Sequence, residues 1–383
     1  MSLEDQLVNA TTQLQASSQK LDQLQGLFGT FPPGQETVFT IGANAHYPDL
    51  KTAWAAVKDK PITGPMRLQV LDGVQTFNER VVIGPHPWAR NIRIVGNTLN
   101  PAMCRIEIGD GPVSDDPEEL WGIHLVGMPG VEISGFEFVG TGAASTSIGL
   151  YIRDGSYVYS QPQTIRFRDL ETGFGVNAAS AWRAHELTAQ GCLNGGFTAD
   201  GGLIQCAGSI FTGRGRGNGV GLKAQDGATV QSYDCTVGDY RFGFFSSSGA
   251  HIGCGDSRAS RCDVGFMNRS ASFWAFMASE REDVGSFECL VGYQAEEGGV
   301  IRAAQLRSEN DRQSIFAGYA SSVFAERARI HQDNTNVIPD YLASAYHMQG
   351  LALATIAATG TDWQSNRSST YRTTIGTYGR IFT

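Results

Sequence analysis

Cysteine pairs, long apolar runs and an excess of positive charge are all missing from this chain, and each absence removes a class of function. The seven cysteines, Cys104, Cys192, Cys206, Cys235, Cys254, Cys262 and Cys289, form no CxxC motif, which excludes a zinc ribbon or a dithiol redox pair. Six of them lie in the glycine-rich region, mostly at strand-like positions, where buried reduced thiols and synthesis in a reducing cytosol are expected. The longest apolar stretch, Leu351 to Ala358, is broken by Thr355 and is too short to span a bilayer. The opening MSLEDQLVNATTQ carries acidic residues and no apolar h-region, so no secretory signal is expected. With 29 Lys and Arg against 38 Asp and Glu, the formal charge is -9 and the pI about 5.3. That balance argues against nucleic acid and against a polybasic membrane anchor. There is no GxSxG elbow and no GxxxxGK loop, and the seven histidines show neither HxH nor HExxH spacing. No metal centre and no cofactor are expected.

Glycine is what the chain has in quantity, 47 residues against 13 prolines, which suits short strands joined by tight corners. A glycine followed by an apolar residue recurs at Gly173, Gly196, Gly219, Gly243, Gly265, Gly292 and Gly318, its spacing drifting slightly around two dozen positions. A second marker keeps step, at Ala228 to Val230, Ala250 to Ile252, Ser272 to Trp274, Gly299 to Ile301 and Ser322 to Phe324. A period in the low twenties built from strand-like triplets predicts a solenoid of stacked β-coils. From Ile92 to Ile330 that period makes room for roughly ten coils, about 50 Å at ~4.8 Å per stacked strand.

Outside the repeat the chain changes character. Residues 1–30 read as an α-helical stalk with heptad spacing: Leu7, Leu14, Leu21 and Phe28 at a, and Leu3, Ala10, Ser17 and Leu24 at d. So polar a helix, with one apolar stripe, is expected to self-associate as a coiled coil; the alternative is a helix lying on its own solenoid. Residues 31–60 read as a linker and a capping helix over Leu50 to Val57, because an open solenoid end exposes core and unpaired strand edges. Residues 61–333 form the expected parallel β-helix. Residues 334–383, where the period is lost, are expected to be a β-rich cap or oligomerisation foot.

The arrangement of stalk, "YPDLKTAWAAV" helix, the series "RLQVLDG … ERVVI … NIRIVGN … CRIEIGD" and glycine-rich coils resembles the right-handed parallel β-helix of the pectin-lyase-like superfamily, as used in bacteriophage tailspikes and tail fibres. The resemblance covers roughly residues 40 to 330 and carries no catalytic motif. It implies an all-β homotrimer on a virion or virus-like particle, assembled in the host cytoplasm. Its stalk would join other tail, baseplate or particle proteins, and its coils would contact bacterial polysaccharide or another surface receptor. Some relatives also cleave that glycan.

Stacking at the offset that carries Gly243 to Gly265 converts sequence distance into height. It places Asp234 under Asp256, Thr236 under Arg258 under Glu280, Asp239 under Arg261 under Asp283, and Arg241 under Asp263. Alternating charge of this kind reads as a solvated salt-bridge face. The same geometry offers carboxylate pairs: one rung, ~4.8 Å, for Asp234 with Asp256, and two rungs, ~9.6 Å, for Asp239 with Asp283, bracket the two glycosidase spacings. Arg258, Arg261 and Glu280 are further ligand candidates on that face. Tyr157 and Tyr159 beside a turn, and Trp121 after an acidic loop, are candidate sugar-stacking aromatics that equally suit packing. The glycine-arginine run Gly213 to Gly221 lacks the register of a phosphate cradle and is expected to be a mobile corner between coils. Three functions follow: a trimeric receptor-binding fibre or spike, a polysaccharide depolymerase (hydrolase or lyase) on the same scaffold, or a structural particle component without ligand.

Overall fold

The computed structural model describes residues 36–62, 64–114, 116–142, 146–270, 273–277, 284–304, 307–311, 313–318, 320–326, 329–332, 348–350, 355–359, 362–365, 373–375 and 380–382. The stalk positions Leu3, Leu7, Leu14, Leu21, Leu24 and Phe28 lie outside the described residues, as do Glu280 and Asp283.

Each turn of chain contributes three short strands, one to each of three parallel sheets. Sheet 1 has fourteen strands, from Thr37–Ile41 to Arg380–Phe382. Sheet 2 has twelve, from Gly73–Phe77 to Asp362–Ser365, and sheet 3 has twelve, from Arg80–Ile83 to Thr373–Ile375. Neighbours within a sheet come from successive turns, so the fold is an all-β parallel solenoid. Ten of the fourteen sheet 1 strands fall between Ile92 and Ile330, the number expected from the period. The second sequence marker is one file: Thr229 pairs with His251, and His251 with Phe273.

The glycine marker has a packing cause that also corrects it. In sheet 3 the residues in register are Gly149, Gly173, Gly195, Gly221, Gly243, Gly265, Gly292 and Ser314. A Cβ at Gly173 would lie 2.4 Å from the carbonyl oxygen of Gly195, and one at Gly243 2.6 Å from that of Gly265. Close stacking of backbones therefore demands glycine. Gly196, Gly219 and Gly318 stand beside the column, not in it. The basic rung is the step from Gly173 to Gly195, repeated from Gly221 to Gly243 and from Gly243 to Gly265. Relative to it, a four-residue insertion falls between Gly195 and Gly221 and a five-residue one between Gly265 and Gly292.

Alternation along each strand sends Val158, Trp182, Ile204, Val230 and Ile252 of sheet 1 inward, where all are buried. Aromatic rings stack up the axis: Phe244 on Phe266 at 5.0 Å and Phe266 on Tyr293 at 4.9 Å, each such pair adding about 0.5–1.5 kcal/mol beyond its buried area. All seven cysteines are buried free thiols, and burial pushes Cys104 and Cys192 up to about 12.

The Leu50–Val57 helix covers the lower end of the stack. Asp49 caps it by accepting the Thr52 amide at 2.6 Å, and Leu50, Ala53, Trp54 and Val57 face the core. Two boundaries move. Thr37–Ile41, within the expected linker, is already a sheet 1 strand paired with Met66–Val70. The described strands beyond residue 334 continue the same ladders, Ser322–Glu326 pairing with Thr355–Thr359 and Arg329–Gln332 with Asp362–Ser365, instead of forming a separate cap. The solenoid's own pairing rule persists there although the glycine spacing that announced it does not.

Candidate functional site

The corner from sheet 1 to sheet 2 needs one residue per turn in the left-handed conformation, which glycine adopts freely and Asp or Asn more readily than other residues. Positive φ occurs there at Gln163, Glu186, Gly208, Asp234 and Asp256. Backbone hydrogen bonds fix their order, from the Glu186 amide to the Ala207 carbonyl, Gly208 to Tyr233, and Asp234 to Gly255 at 2.9 Å. Three carboxylates therefore share one column: Asp234 and Asp256 one rung apart, and Glu186 two rungs below Asp234 with side-chain-free Gly208 between. The ideal Cβ at Gly208 would lie 3.0 Å from Cγ of Glu186, so the Glu186 side chain lies against the rung that Gly208 leaves without a side chain. Gln163 donates to Glu186 from the rung below. Asp234 is exposed and Asp256 half-buried.

Beside this column lies the outer face of sheet 1. Its outward file runs Tyr159, Arg183, Gln205, Gln231 and Gly253, next to a second file of Tyr157, Ala181, Leu203, Thr229 and His251. Gln205 donates to Gln231 at 2.8 Å and Arg183 to His185 at 3.3 Å. Tyr233, 52% exposed, turns its hydroxyl back over Gly253, where a Cβ would lie 3.6 Å from that oxygen. Burial pushes His251 below the ordinary histidine range, keeping it neutral at pH 7. The result is a hydrogen-bonding and aromatic strip that carries the Arg183 cation, about 19 Å long over four rungs, bordered by carboxylates. Planar amides, tyrosines and a neutral imidazole are side chains that hydrogen-bond and stack on sugar rings.

Of the aromatics named from sequence, Tyr157 stands 50% exposed at the foot of this strip. Tyr159 is tied down, its hydroxyl donating to Glu132 at 3.3 Å in a network with Arg93 and Gln161. Trp121 is elsewhere, on sheet 3, its ring lying where Cβ atoms on Gly109 and Gly111 would be 3.5 and 2.9 Å away; it is packing.

Arg258 opens its sheet 2 strand two residues beyond Asp256, whereas Asp239 and Arg261 lie at the far corner of that sheet, away from Asp234 and Asp256. Arg261 binds Asp239 through both oxygens, at 2.8 and 2.6 Å, and this guanidinium holds the Asp239 carboxyl below its usual range. Arg258 stacks over Phe287, 4.2 Å from its centroid. The upper rung assignment changes: Arg258 pairs with Gly285, not Glu280, and Glu288 takes the corner place above Arg261 that a constant offset assigns to Asp283. The five-residue insertion before Gly292 is the reason. Arg241 does stand beneath Asp263. The run Gly213 to Gly221 is a corner, as expected, but strapped down. Arg214 donates to the carbonyls of Gly191, Asp169 and Leu170 at 2.7, 3.1 and 3.0 Å, and Arg216 to those of Arg261 and Glu288. Among the described residues no group of three or more His, Cys, Asp or Glu is arranged to hold a metal ion.

Glu186, Tyr233, His251, Gln205 and Gln231 are site residues that sequence reasoning missed. Glu186 lies one plain rung and one enlarged rung below Asp234, because the four-residue insertion intervenes. Only an offset that grows at that insertion would have found it.

No protein-family model matches the chain, and no curated protein matches it in sequence. Solved structures do resemble it. The Agl-KA catalytic domain superimposes with a TM-score of 0.55 at 11% identity, over 83% of this chain and 62% of that one. The catalytic domain of a GH87 alpha-1,3-glucanase in complex with nigerose gives 0.52 at 9%, over 92% and 70%. The catalytic unit of a thermostable GH87 alpha-1,3-glucanase from Streptomyces thermodiastaticus strain HF3-3 gives 0.50 at 10%, over 92% and 67%. This chain thus spans less than two thirds of the first of these, and at such identities what they share with it is the parallel β-solenoid fold.

Proposed function

We propose that this chain is a polysaccharide depolymerase of the glycoside hydrolase kind, with the glycan lying along the outer face of sheet 1 and Asp234 and Asp256 as the carboxylate pair. The observation that carries this reading is the single column of Glu186, Asp234 and Asp256 beside a strip of sugar-compatible side chains. The presence of glucanase domains among the structures sharing the fold supports it. One rung, ~4.8 Å, is close to the ~5–5.5 Å of retaining enzymes. One carboxylate attacks the anomeric carbon while the other protonates the leaving oxygen, then activates the water that releases the sugar.

The test is new reducing ends from α-1,3-glucan and a panel of bacterial surface polysaccharides. Asp234→Asn and Asp256→Asn should each lower the rate by roughly 10²–10⁴-fold, with the anomeric configuration retained in the wild-type product. Full activity in either variant would remove the pair from the chemistry.

A second reading uses the same strip without bond cleavage: a phage-type trimeric fibre or spike that attaches to a bacterial surface glycan. It is favoured by the corner geometry, since a left-handed position selects Asp for backbone reasons alone. Glycan binding with no reducing ends released from any of the panel would select it over hydrolysis.

A further inference from the structure

Below Gly253 the outward file of sheet 1 holds three arginines, Arg67, Arg93 and Arg183. The lower two are neutralised within the fold. Glu36 meets Arg67 at 3.1 Å and Arg93 at 3.3 Å, and Glu132 meets Arg93 at 2.6 Å. Arg183 is exposed, and its Nε donates to Nε2 of His185 at 3.3 Å. Among the described residues no carboxylate lies within ion-pair distance of it. The contact with His185 leaves both terminal nitrogens without a partner, and they form the edge of a guanidinium that grips a carboxylate through two parallel hydrogen bonds.

The surroundings of Arg183 confine where a negative charge fits. At the sheet 3 to sheet 1 corner that opens its strand, the left-handed places are held by Ala178 and Ala179. The corresponding corners one and two rungs higher carry the exposed Asp200 and Asp226, also left-handed. Across the strip Asp234 and Asp256 stand two and three rungs above Arg183, at ~10 and ~14 Å. Glu186, on the Arg183 rung, is engaged by Gln163. A glycan on this face therefore meets one unpaired cation at a single height and carboxylates on both sides above it. Beside Arg183 the second file holds the small Ala181, with the exposed Tyr157 one rung below. A sugar ring has a floor and a stacking partner there.

We propose that Arg183 selects a glycan with isolated negative charge: a heteropolysaccharide carrying one acidic sugar, a uronic acid or a pyruvylated residue, between neutral ones. The acidic sugar sits on Ala181 against Tyr157, with its carboxylate on Arg183. This assignment rests on the glycan lying along sheet 1 and holds for hydrolysis and attachment alike. A neutral polymer such as α-1,3-glucan offers the cation nothing. A polymer charged on every residue brings its own carboxylates beside Asp226, Asp234 and Asp256, where like charges repel.

An array of bacterial capsular polysaccharides and exopolysaccharides of defined repeat tests this, including gellan, with a single glucuronate per repeat. α-1,3-Glucan and polygalacturonate are the neutral and continuously charged arms. Each acidic polymer is also printed after carbodiimide-mediated reduction of its carboxyl groups to alcohols, which keeps the linkages. The labelled full chain should bind polymers with an isolated acidic sugar. Carboxyl reduction or Arg183→Gln should each weaken that binding roughly tenfold or more. Arg183→Lys should lose less, keeping the charge without the fork. The exposed position predicts unchanged thermal melting for both variants. Binding that survives Arg183→Gln or carboxyl reduction undiminished, or a preference for α-1,3-glucan or polygalacturonate, would overturn the assignment and leave the glycan strip in place. Binding to no polymer on the array would overturn the strip itself, and the role of Arg183 with it.

Discussion

Burial pushes the His124 imidazole from 6.5 down to about 4, helped by the nearby Arg80 and Arg153 charges. Its Nε2 faces the Leu120 carbonyl at 3.1 Å, its ring meets Tyr151 edge-on at 5.2 Å, and its Nδ1 is buried without a hydrogen-bond partner. The folded chain keeps this ring neutral where the unfolded chain protonates it. Stability is therefore fully present above pH 6.5 and is lost as pH falls toward 4, by up to about 3 kcal/mol. His124→Phe should shrink the difference in urea midpoint between pH 7 and pH 4.5; an unchanged difference would assign the acid sensitivity to other groups. The Asp239–Arg261 pair, by contrast, is a surface contact and contributes little.

At the scale of strands and corners, the glycine column sets the tolerance of the fold. Gly243→Ala places a methyl 2.6 Å from the Gly265 carbonyl oxygen and should cost about 1–3 kcal/mol in denaturant unfolding, whereas Gly249→Ala, with open space around its Cβ, is limited to the strain of its left-handed backbone. The same column explains what could be read from residues alone. Period, sheet pairing and the Asp234–Asp256 and Asp239–Arg261 stacks were legible because those turns carry no insertion. Across the insertions before Gly221 and Gly292 a constant offset fails, which is why Glu186 was missed and Asp283 and Glu280 were assigned rungs that Glu288 and Gly285 occupy. A doublet such as Gly195-Gly196 gives no sign of which glycine carries the close contact, so the marker slipped by one. Side chains that converge from different files, as Tyr233 does over Gly253, leave no periodic trace.

For the molecule as a whole, the triangular cross-section separates three kinds of surface. Sheet 1 carries the ion pairs of Arg67 and Arg93 with Glu36 and of Arg93 with Glu132 at its lower end, and above them tyrosines, Arg183, amides and an imidazole. Sheet 2 carries ion pairs such as Arg105 with Glu137 and Arg168 with Glu137, at 3.5 and 3.7 Å. Sheet 3 is apolar. All of this rests on distance along the chain becoming height along one axis. Because the native cysteines are buried, nitroxides attached to introduced cysteines report that height directly. Pulsed dipolar spectroscopy from Tyr157→Cys to His251→Cys, Val300→Cys and Ser322→Cys spans four, six and seven rungs of one file. The expected separations are about 19, 29 and 34 Å, rising in even steps of ~4.8 Å per rung. Separations that fail to rise in that order would contradict the stacked register, and with it the carboxylate column.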